Sequence, residues 1–238
     1  MKKSGSPYTL AIDIGGTGLK ASVLDKKGKM VATPVRVDTP YPCTPKAMVD
    51  ALVKMVKPLP RFDRISIGFP GVVRNDRIIT AAHYGIEKWR NFQLAKTLTK
   101  RLGKPARIVN DADMQGLAVM KGKGLEIVIT LGTGVGTAIF QDGELMIKVE
   151  LSTHPYGGPD TYNTFIGHKT FLRIGKKAWN KRVRKAIDQI YLLFFYDKIY
   201  VGGGNARHIT FRPDKNMKII SNDAGILGGI ALWKLKKS

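Results

Sequence analysis

A short pattern of strand, glycine turn and strand occurs twice in the chain, and this repeat limits the possible folds more than any other feature. In the first copy, Ile12–Gly18 leads into an apolar segment at Leu19–Leu24. In the second copy, Ile129–Gly134 leads into Val135–Phe140. Short apolar runs that end at glycine are typical of strands closed by tight turns. The duplication predicts two similar lobes, each presenting one glycine turn to a shared cleft.

Between the strands lie segments of helical length, so the alternation predicts an α/β protein. The expected helices are Lys46–Lys57, Phe92–Leu102, Asp111–Lys121, Lys177–Tyr191 and a last helix at Ala224–Leu235. We expect a small N-terminal lobe at residues 1–110 and a larger lobe at residues 111–221. Residues 222–238 are expected to pack back on the first lobe.

The chain is strongly basic, with 40 Lys and Arg against 18 Asp and Glu and a formal net charge of +22. Such a surface favours polyanions. The sequence has no zinc-finger spacing, RNA-binding strand pattern or basic zipper, so no specific nucleic acid partner is expected. The densest basic segment, Lys176–Lys185, is either a solvated helix face or an electropositive surface for a phosphate-rich substrate.

Two further features narrow the class of protein. No run approaches the roughly 18 apolar residues that cross a bilayer, and the start of the chain lacks the apolar core of a signal peptide. We therefore expect a cytoplasmic protein with no membrane partner. Cys43 is the single cysteine, which excludes an intrachain disulfide and makes a structural zinc site unexpected.

Glycine turns after strands suit phosphate, because backbone N–H groups can approach an anion where no side chain intervenes. The chain has neither a Walker loop nor a complete Gly-x-Gly-x-x-Gly motif, which disfavours ordinary nucleotide folds. One glycine turn alone is ambiguous, since glycine also ends strands for steric reasons. As a pair, the turns predict binding of donor phosphates by Gly15, Gly16 and Thr17 and by Gly132, Thr133 and Gly134.

Asp13 lies inside an otherwise apolar strand, where an unpaired carboxylate would be costly to bury. It therefore needs a partner. Lys20, a group of the other lobe, or a magnesium ion held through water would each serve.

Asp111 follows the apolar segment Arg107–Val109 and opens an expected helix. A carboxylate at this position could cap the helix. It could equally orient a hydroxyl group and accept its proton during attack.

Taken together, the motifs resemble the ROK family (repressors, open reading frames and kinases), most closely its polyphosphate-dependent glucokinase branch. The resemblance spans nearly the whole chain and rests on residues 13–18, 68–73, 109–113, 130–136, 150–151, 202–204 and 222–225. It implies an actin-like (ribonuclease H-like) α/β fold with a central cleft, and commonly a homodimer. It also implies Mg²⁺-dependent transfer of a phosphoryl group from ATP or inorganic polyphosphate to the 6-hydroxyl of a hexose, most often glucose.

The resemblance also assigns roles to single residues. Asp111 would be the base, and the sugar would be bound by Gly71, Asn110, Glu150 and His154. The donor would be bound by the two turns, Lys20, Gly203 and Gly204, with Asp13 holding Mg²⁺ through water.

The sugar side departs from the family pattern. The usual histidine three residues after the glutamate is here Thr153, with His154 next to it. His83 stands where many relatives carry asparagine, and residues 156–167 contain no second sugar-binding glutamate. These departures leave open a degenerate, non-catalytic sugar-binding member of the family. A repressor is disfavoured, because the first strand is expected from about Tyr8 and leaves no room for a helix-turn-helix.

Overall fold

A computed structural model describes residues 7–81 and 84–235. The chain forms two compact units. One comprises the described residues up to Ala118 together with those from Gly225 onward, and the other comprises Val119–Ala224. The first unit extends past the boundary expected after Asn110, because the helix that begins at Asp111 packs with the strands that precede it.

The first unit is built on a five-stranded sheet in the order β3-β2-β1-β4-β7. Strand β1 pairs antiparallel with β2 and parallel with β4, and β4 pairs parallel with β7. The elements up to Val119 are β1 Thr9–Ile14, β2 Gly18–Leu24, β3 Val35–Asp38, α1 Pro45–Val56, β4 Arg64–Phe69, β5 Val73–Arg74, β6 Arg77–Ile78, α2 Ile86–Trp89, α3 Leu94–Leu102, β7 Ala106–Asn110 and α4 Asp111–Val119.

Helix α1 shows how the local sequence directs this unit. The side chain of Thr44 accepts a hydrogen bond from the backbone N–H of Ala47 (3.2 Å), and Pro45 occupies the first helical turn, where it removes no needed donor. Met48 and Leu52, four residues apart, are fully buried against the sheet.

The second unit repeats the same sheet order, β10-β9-β8-β13-β14. Its hairpin, β8 with β9, is antiparallel, and β13 pairs parallel with both β8 and β14. The predicted repeat is therefore confirmed at the level of both hairpins. The elements are β8 Leu125–Leu131, β9 Val135–Gln141, β10 Glu144–Leu145, β11 Pro155–Gly157, β12 Asp160–Thr161, α5 Tyr162–Ile166, α6 His168–Phe194, β13 Lys198–Gly202 and β14 Met217–Ile219. The helix that follows, α7 Ala224–Leu227, belongs to the first unit from Gly225 onward.

Helix α6 is interrupted at Gly175, whose φ of 75° is not helical. The part after this kink contains the predicted helix Lys177–Tyr191, which is confirmed. Its buried stripe includes Trp179, Val183 and Ile190, which pack in the core of the second unit. The basic side chains of the same segment lie on its other faces.

The last predicted helix is wrong. The structure has a short helix at Ala224–Leu227 and a 3₁₀ turn at Ala231–Trp233 in place of one helix to Leu235. The break comes at two glycines that pack tightly. A methyl group on Gly228 would overlap the carbonyl oxygen of Met114, and one on Gly229 would lie 2.8 Å from Cβ of Ala11.

Within residues 7–81 and 84–235, no helix combines the length and the apolar character needed to cross a membrane.

Candidate functional site

The first glycine turn joins β1 to β2 and is closed by a hydrogen bond from the N–H of Gly15 to the carbonyl of Gly18 (2.9 Å). The carbonyl oxygen of Gly15 accepts two further hydrogen bonds, from Oγ1 of Thr39 and from the hydroxyl of Tyr84, both at 2.8 Å. Gly15, Gly16 and Thr17 thus lie in a turn whose backbone is held from two sides. Sequence reasoning missed both clamping residues.

Three charged residues lie side by side next to this turn. Asp13 on β1 is directly opposite Lys20 on β2, and Lys20 is directly opposite Arg36 on β3. Directly opposed residues project from the same face of a sheet, so the three side chains are neighbours. Burial raises the pKa of the Asp13 carboxyl from 3.8 to about 6, although the positive charges of Lys20 and Arg36 act to lower it.

The Asp13 carboxylate also contacts the backbone of the C-terminal segment. A methyl group at Gly225 would lie 2.6 Å from Oδ2 of Asp13 and 2.8 Å from its Cγ. Only a glycine fits here unless the carboxylate moves. Gly225 belongs to the segment 222–225 that was identified from the sequence. Its close contact with the Asp13 carboxylate could not be predicted from the sequence.

Asp111 is the first residue of α4 and directly follows the end of β7. Its Oδ1 accepts a hydrogen bond from the N–H of Ala112 (2.9 Å), and its side chain is half-buried. The carboxylate therefore takes part in the start of the helix while part of it remains accessible. The N-cap position is occupied by Asn110, which accepts from the N–H of Ala112, so the capping role considered for Asp111 falls to its neighbour. The catalytic role of Asp111 stays a prediction.

Asn110 organises the backbone around Asp111. Its Nδ2 donates to the carbonyl oxygens of Phe69 (3.3 Å) and Gly71 (3.0 Å), and its Oδ1 accepts from Ala112 N (3.0 Å). Asn110 is buried, and Gly71 is packed so closely that a methyl group there would overlap the carbonyl oxygen of Thr80. The structure thus brings Gly71, Asn110 and Asp111 together at the ends of two neighbouring parallel strands.

Tyr84 connects these two parts of the first unit. Burial raises the pKa of its phenol far above its ordinary value, and Cys43, Asp111 and Asp13 raise it further. The hydroxyl therefore stays protonated and remains a donor to Gly15.

In the second unit, the turn at Gly132, Thr133 and Gly134 lies against the turn at Gly203 and Gly204. The N–H of Gly132 donates to the carbonyl of Gly134 (2.9 Å). Asn205 donates from its backbone to Leu131 O (2.8 Å) and from its side chain to Gly132 O (3.3 Å). Gly203 has a φ of 81°, and a methyl group on it would overlap the carbonyl of Leu131. The residues of this unit that are predicted to bind the phosphoryl donor therefore lie in two adjacent turns.

Glu150 and His154 lie in one loop between β10 and β11. Oε1 of Glu150 accepts a hydrogen bond from Oγ of Ser152 (2.7 Å), and its side chain is half-buried. The His154 side chain is exposed, and its Nδ1 lies 2.9 Å from the carbonyl oxygen of Pro155, to which it donates. Their joint contact with a sugar stays a prediction. His83 lies outside the described residues.

The surroundings of Asp13 fit a magnesium ion better than a zinc ion. Among the described residues, no group of three or more His, Cys, Asp and Glu side chains gathers as a metal cage. Mg²⁺ is bound in proteins through one or two carboxylates, with water and substrate phosphates completing its shell. A single buried carboxylate next to a glycine turn matches that pattern.

Comparison with known proteins adds three findings. A ROK family model matches residues 9–154. The polyphosphate glucokinase of Mycobacterium tuberculosis is 28% identical over 226 residues, which cover 90% of this chain and 83% of that protein. An N-acetylmannosamine kinase of Escherichia coli is 34% identical over 67% of this chain and 53% of its own length.

Solved structures show the same relationship. The inorganic polyphosphate/ATP-glucomannokinase of Arthrobacter sp. strain KM superposes with a TM-score of 0.84 at 30% identity, covering 97% of this chain and 98% of that one. A ROK family glucokinase of Streptomyces griseus, in complex with glucose and AMPPNP, superposes with a TM-score of 0.75 at 21% identity. The match covers 94% of this chain and 98% of that one. These likenesses confirm the expected actin-like α/β fold.

Proposed function

The chain belongs to the ROK family, and on this premise we propose that it is a hexose kinase, with glucose as the leading acceptor and polyphosphate, ATP or both as donor. The observation that carries the proposal is the position of Asp111. Its half-buried carboxylate stands at the end of β7, beside the turn Phe69–Gly71 that Asn110 holds in place. A sugar hydroxyl placed there would find one positioned acceptor for its proton.

Asp111 would act as the general base. A sugar hydroxyl is a poor nucleophile, and a carboxylate in hydrogen-bonding reach orients it and removes its proton as it attacks, an effect of about 10²–10⁴-fold. Because Oδ1 of Asp111 accepts the Ala112 N–H, the side-chain torsions are restrained before substrate arrives. Asn110 acts on the same reaction by fixing the loop next to Asp111, and its direct contact with the sugar stays a prediction.

Both glycine turns would bind donor phosphates. In the first turn, Thr39 and Tyr84 occupy the Gly15 carbonyl, and the Gly15 N–H is bonded to Gly18, so an anion would meet the backbone N–H groups of Gly16 and Thr17. Lys20 and Arg36 place positive charge beside Asp13. A magnesium ion held through water by Asp13 would neutralise charge on the donor phosphates.

A purified sample assayed with each donor and a panel of hexoses tests the proposal. We expect a sugar 6-phosphate with glucose and at least one of ATP and polyphosphate. Asp111→Asn should lower kcat by about 10²–10⁴-fold while sugar affinity by calorimetry is retained. Asp76→Asn is the matched control, since Asp76 is exposed in a turn with a φ of 58° that asparagine tolerates.

The exposed position of His154 favours a second candidate, a sugar-binding protein without turnover. Sugar binding with no phosphorylation of glucose, mannose, fructose or an amino sugar by either donor would support it and overturn the kinase proposal. The homodimer and the cytoplasmic location stay predictions, and light scattering tests the first.

A further inference from the structure

The basic segment Lys176–Lys185 of α6 carries six Lys and Arg and no acidic residue. It forms one wall of an open cavity of about 660 Å³ in the second unit. The basic side chains that line this cavity are Lys176, Lys177, Lys181 and Arg184, and the opposite wall includes Thr210 and Phe211. The three lysines are exposed.

The positive charge in this cavity is only partly balanced. Arg184 makes ion pairs with Asp188 (3.0 Å) and Asp214 (2.8 Å). Within the described part of the chain, no salt bridge involves the three lysines. Lys177 and Lys181 are four residues apart, a spacing at which like charges on a helix repel. A cluster of this kind is better suited to binding an anion than to stabilising the helix.

The cavity is structurally joined to the predicted donor site of the same unit. The side chain of Asn180 donates to the carbonyl oxygens of Lys176 (2.8 Å) and His208 (3.0 Å) and accepts from the N–H of Thr210 (2.7 Å). It thereby fixes the segment around Thr210 against α6. Because Thr210 lines the cavity, the shape of the cavity depends on this anchor.

The connection continues through aromatic rings to the second glycine turn. His208 stacks on Phe171 with ring centroids 4.7 Å apart, and Phe171 lies next to His168 at 6.0 Å. Nδ1 of His168 is 3.2 Å from Nδ2 of Asn205, which also contacts Gly132 O. A chain of contacts therefore runs from the backbone of Lys176 to the turn proposed to bind donor phosphates.

The positive charge of the cluster also acts on His208, one residue of this path. The pKa of His208 is lowered by partial burial and by the positive charges of Arg207 and Lys176, with His168 adding to the effect. A neutral imidazole next to the cluster adds no further charge of its own.

We propose that the cavity lined by Lys176, Lys177 and Lys181 is a secondary subsite for the distal part of an inorganic polyphosphate chain whose terminal phosphate occupies the donor site. The inference rests on the proposed kinase function and specifies its donor. Flexible lysines act as point charges without geometric demands, which suits a long chain of identical phosphates. Single-stranded nucleic acid is disfavoured, because the lining lacks a series of aromatic platforms for stacking bases.

The test compares two variants with the same loss of charge. The subsite variant carries Lys176→Gln, Lys177→Gln and Lys181→Gln, and the control carries Lys54→Gln, Lys96→Gln and Lys100→Gln, all exposed and on helices of the other unit. We expect the subsite variant to raise KM for long-chain polyphosphate by about three- to tenfold, with the effect shrinking at high ionic strength. KM for tripolyphosphate and ATP should not change, and the control variant should resemble the wild type.

Several outcomes would overturn the inference. Equal changes in the two variants would show a non-specific charge effect, and an equal rise in KM for ATP would place the lysines in the donor site itself. Calorimetric titration with long-chain polyphosphate keeps the test independent of turnover. If no donor supports phosphorylation but the subsite variant still binds long chains more weakly than the control, the kinase proposal fails and the subsite stands. If an oligonucleotide with a matched number of phosphates binds as tightly and loses as much affinity, the surface is a nucleic-acid site instead.

Discussion

The charge of the Asp13 carboxyl is opposed by its environment. Burial raises its pKa to about 6, so the folded protein binds this proton more tightly than the unfolded chain does. Its contribution to stability is therefore fully present below the unfolded pKa of 3.8 and is lost as the pH rises through about 6. We expect metal-free Asp13→Asn to exceed the wild type in free energy of unfolding by about 1–3 kcal/mol at about pH 8. Urea unfolding at several pH values measures this.

The difference between Asp13→Asn and the wild type should disappear in acid, where both side chains are uncharged. If Asp13 holds magnesium as proposed, magnesium with a phosphate donor should raise the unfolding temperature of the wild type more than that of the variant, since a neutral amide binds Mg²⁺ more weakly than a carboxylate does. A variant that is less stable than the wild type at about pH 8 would mean that Lys20 and Arg36 stabilise the charged carboxylate by more than burial opposes it.

Gly225 leads to a separate prediction at the same scale. Its added methyl group would lie 2.6 Å from Oδ2 of Asp13, so Gly225→Ala must displace the carboxylate. We expect kcat to fall about ten- to hundredfold, because small misplacements of catalytic groups are that costly. Gly229→Ala is the control, since its methyl group meets Ala11 and Ser66 instead. It should lower the unfolding temperature without changing the magnesium dependence of kcat, and equal kinetic effects of both variants would contradict this assignment.

At the scale of secondary-structure elements, local features were predictable and distant ones were not. Both hairpins could be predicted, because strand, glycine turn and strand follow one another directly in the sequence. Tyr84 and Thr39 could not, since they reach the Gly15 carbonyl from 69 and 24 residues away. The last helix was predicted wrongly for the same reason. Its break at Gly228 depends on contact with Met114, which no local pattern reveals.

The start of β8 depends on a buried charge that belongs to no proposed site. Glu126 accepts hydrogen bonds from the N–H of Lys121 (2.9 Å), the N–H of Gly122 (2.6 Å) and the hydroxyl of Tyr200 (2.7 Å). Burial acts to raise the pKa of this carboxyl, but the hydrogen bonds outweigh it and lower the pKa. The charged carboxylate thus ties the turn before β8 to the neighbouring strand β13.

We expect Glu126→Gln to lower the free energy of unfolding by about 1.5–3 kcal/mol at neutral pH, because an amide nitrogen would face backbone donors that need an acceptor. The stabilisation is present above the unfolded pKa of 4.5 and is lost as the pH falls through the lower folded value. The difference in free energy of unfolding between wild type and variant should therefore become smaller in acid. Urea titrations measure it, with the exposed Glu144→Gln as control. Equal stability of the two variants would show that the network contributes nothing.

At the scale of the whole molecule, net charge alone could not identify the use of the basic residues. A value of +22 is compatible with a solvated surface, with nucleic acid and with a phosphate polymer. The distribution is more informative. Arg184 is neutralised by two aspartates, whereas the lysines around it line a cavity connected to a glycine turn. Of the many basic residues that give the net charge, the structure therefore singles out three lysines as candidates for binding a polyanion.

The first unit is discontinuous in sequence. The contacts of its C-terminal piece lead us to expect that neither piece folds on its own. Ser66 Oγ donates to the Gly229 carbonyl (2.7 Å) and accepts from Nε1 of Trp233 (2.9 Å). Arg107 donates to the carbonyl oxygens of Leu232 (3.0 Å) and Leu235 (2.9 Å). The side chains of Ser66 and Arg107 lie on β4 and β7, so the C-terminal piece completes the packing of the central sheet.

The two pieces touch near this discontinuity, since a methyl group on Gly228, three residues after the second piece begins, would lie 3.4 Å from the backbone nitrogen of Ala118. We therefore expect a protein in which a short Gly/Ser linker replaces residues 119–224 to fold, as domains interrupted by an insertion often do. The fragment that ends at Ala118 should not fold, because Ser66 and Arg107 would lose their partners. Circular dichroism and the dispersion of amide NMR signals show whether the linked protein and the short fragment are folded. An unfolded linked protein, or a folded short fragment, would show that the two pieces do not form one cooperative unit.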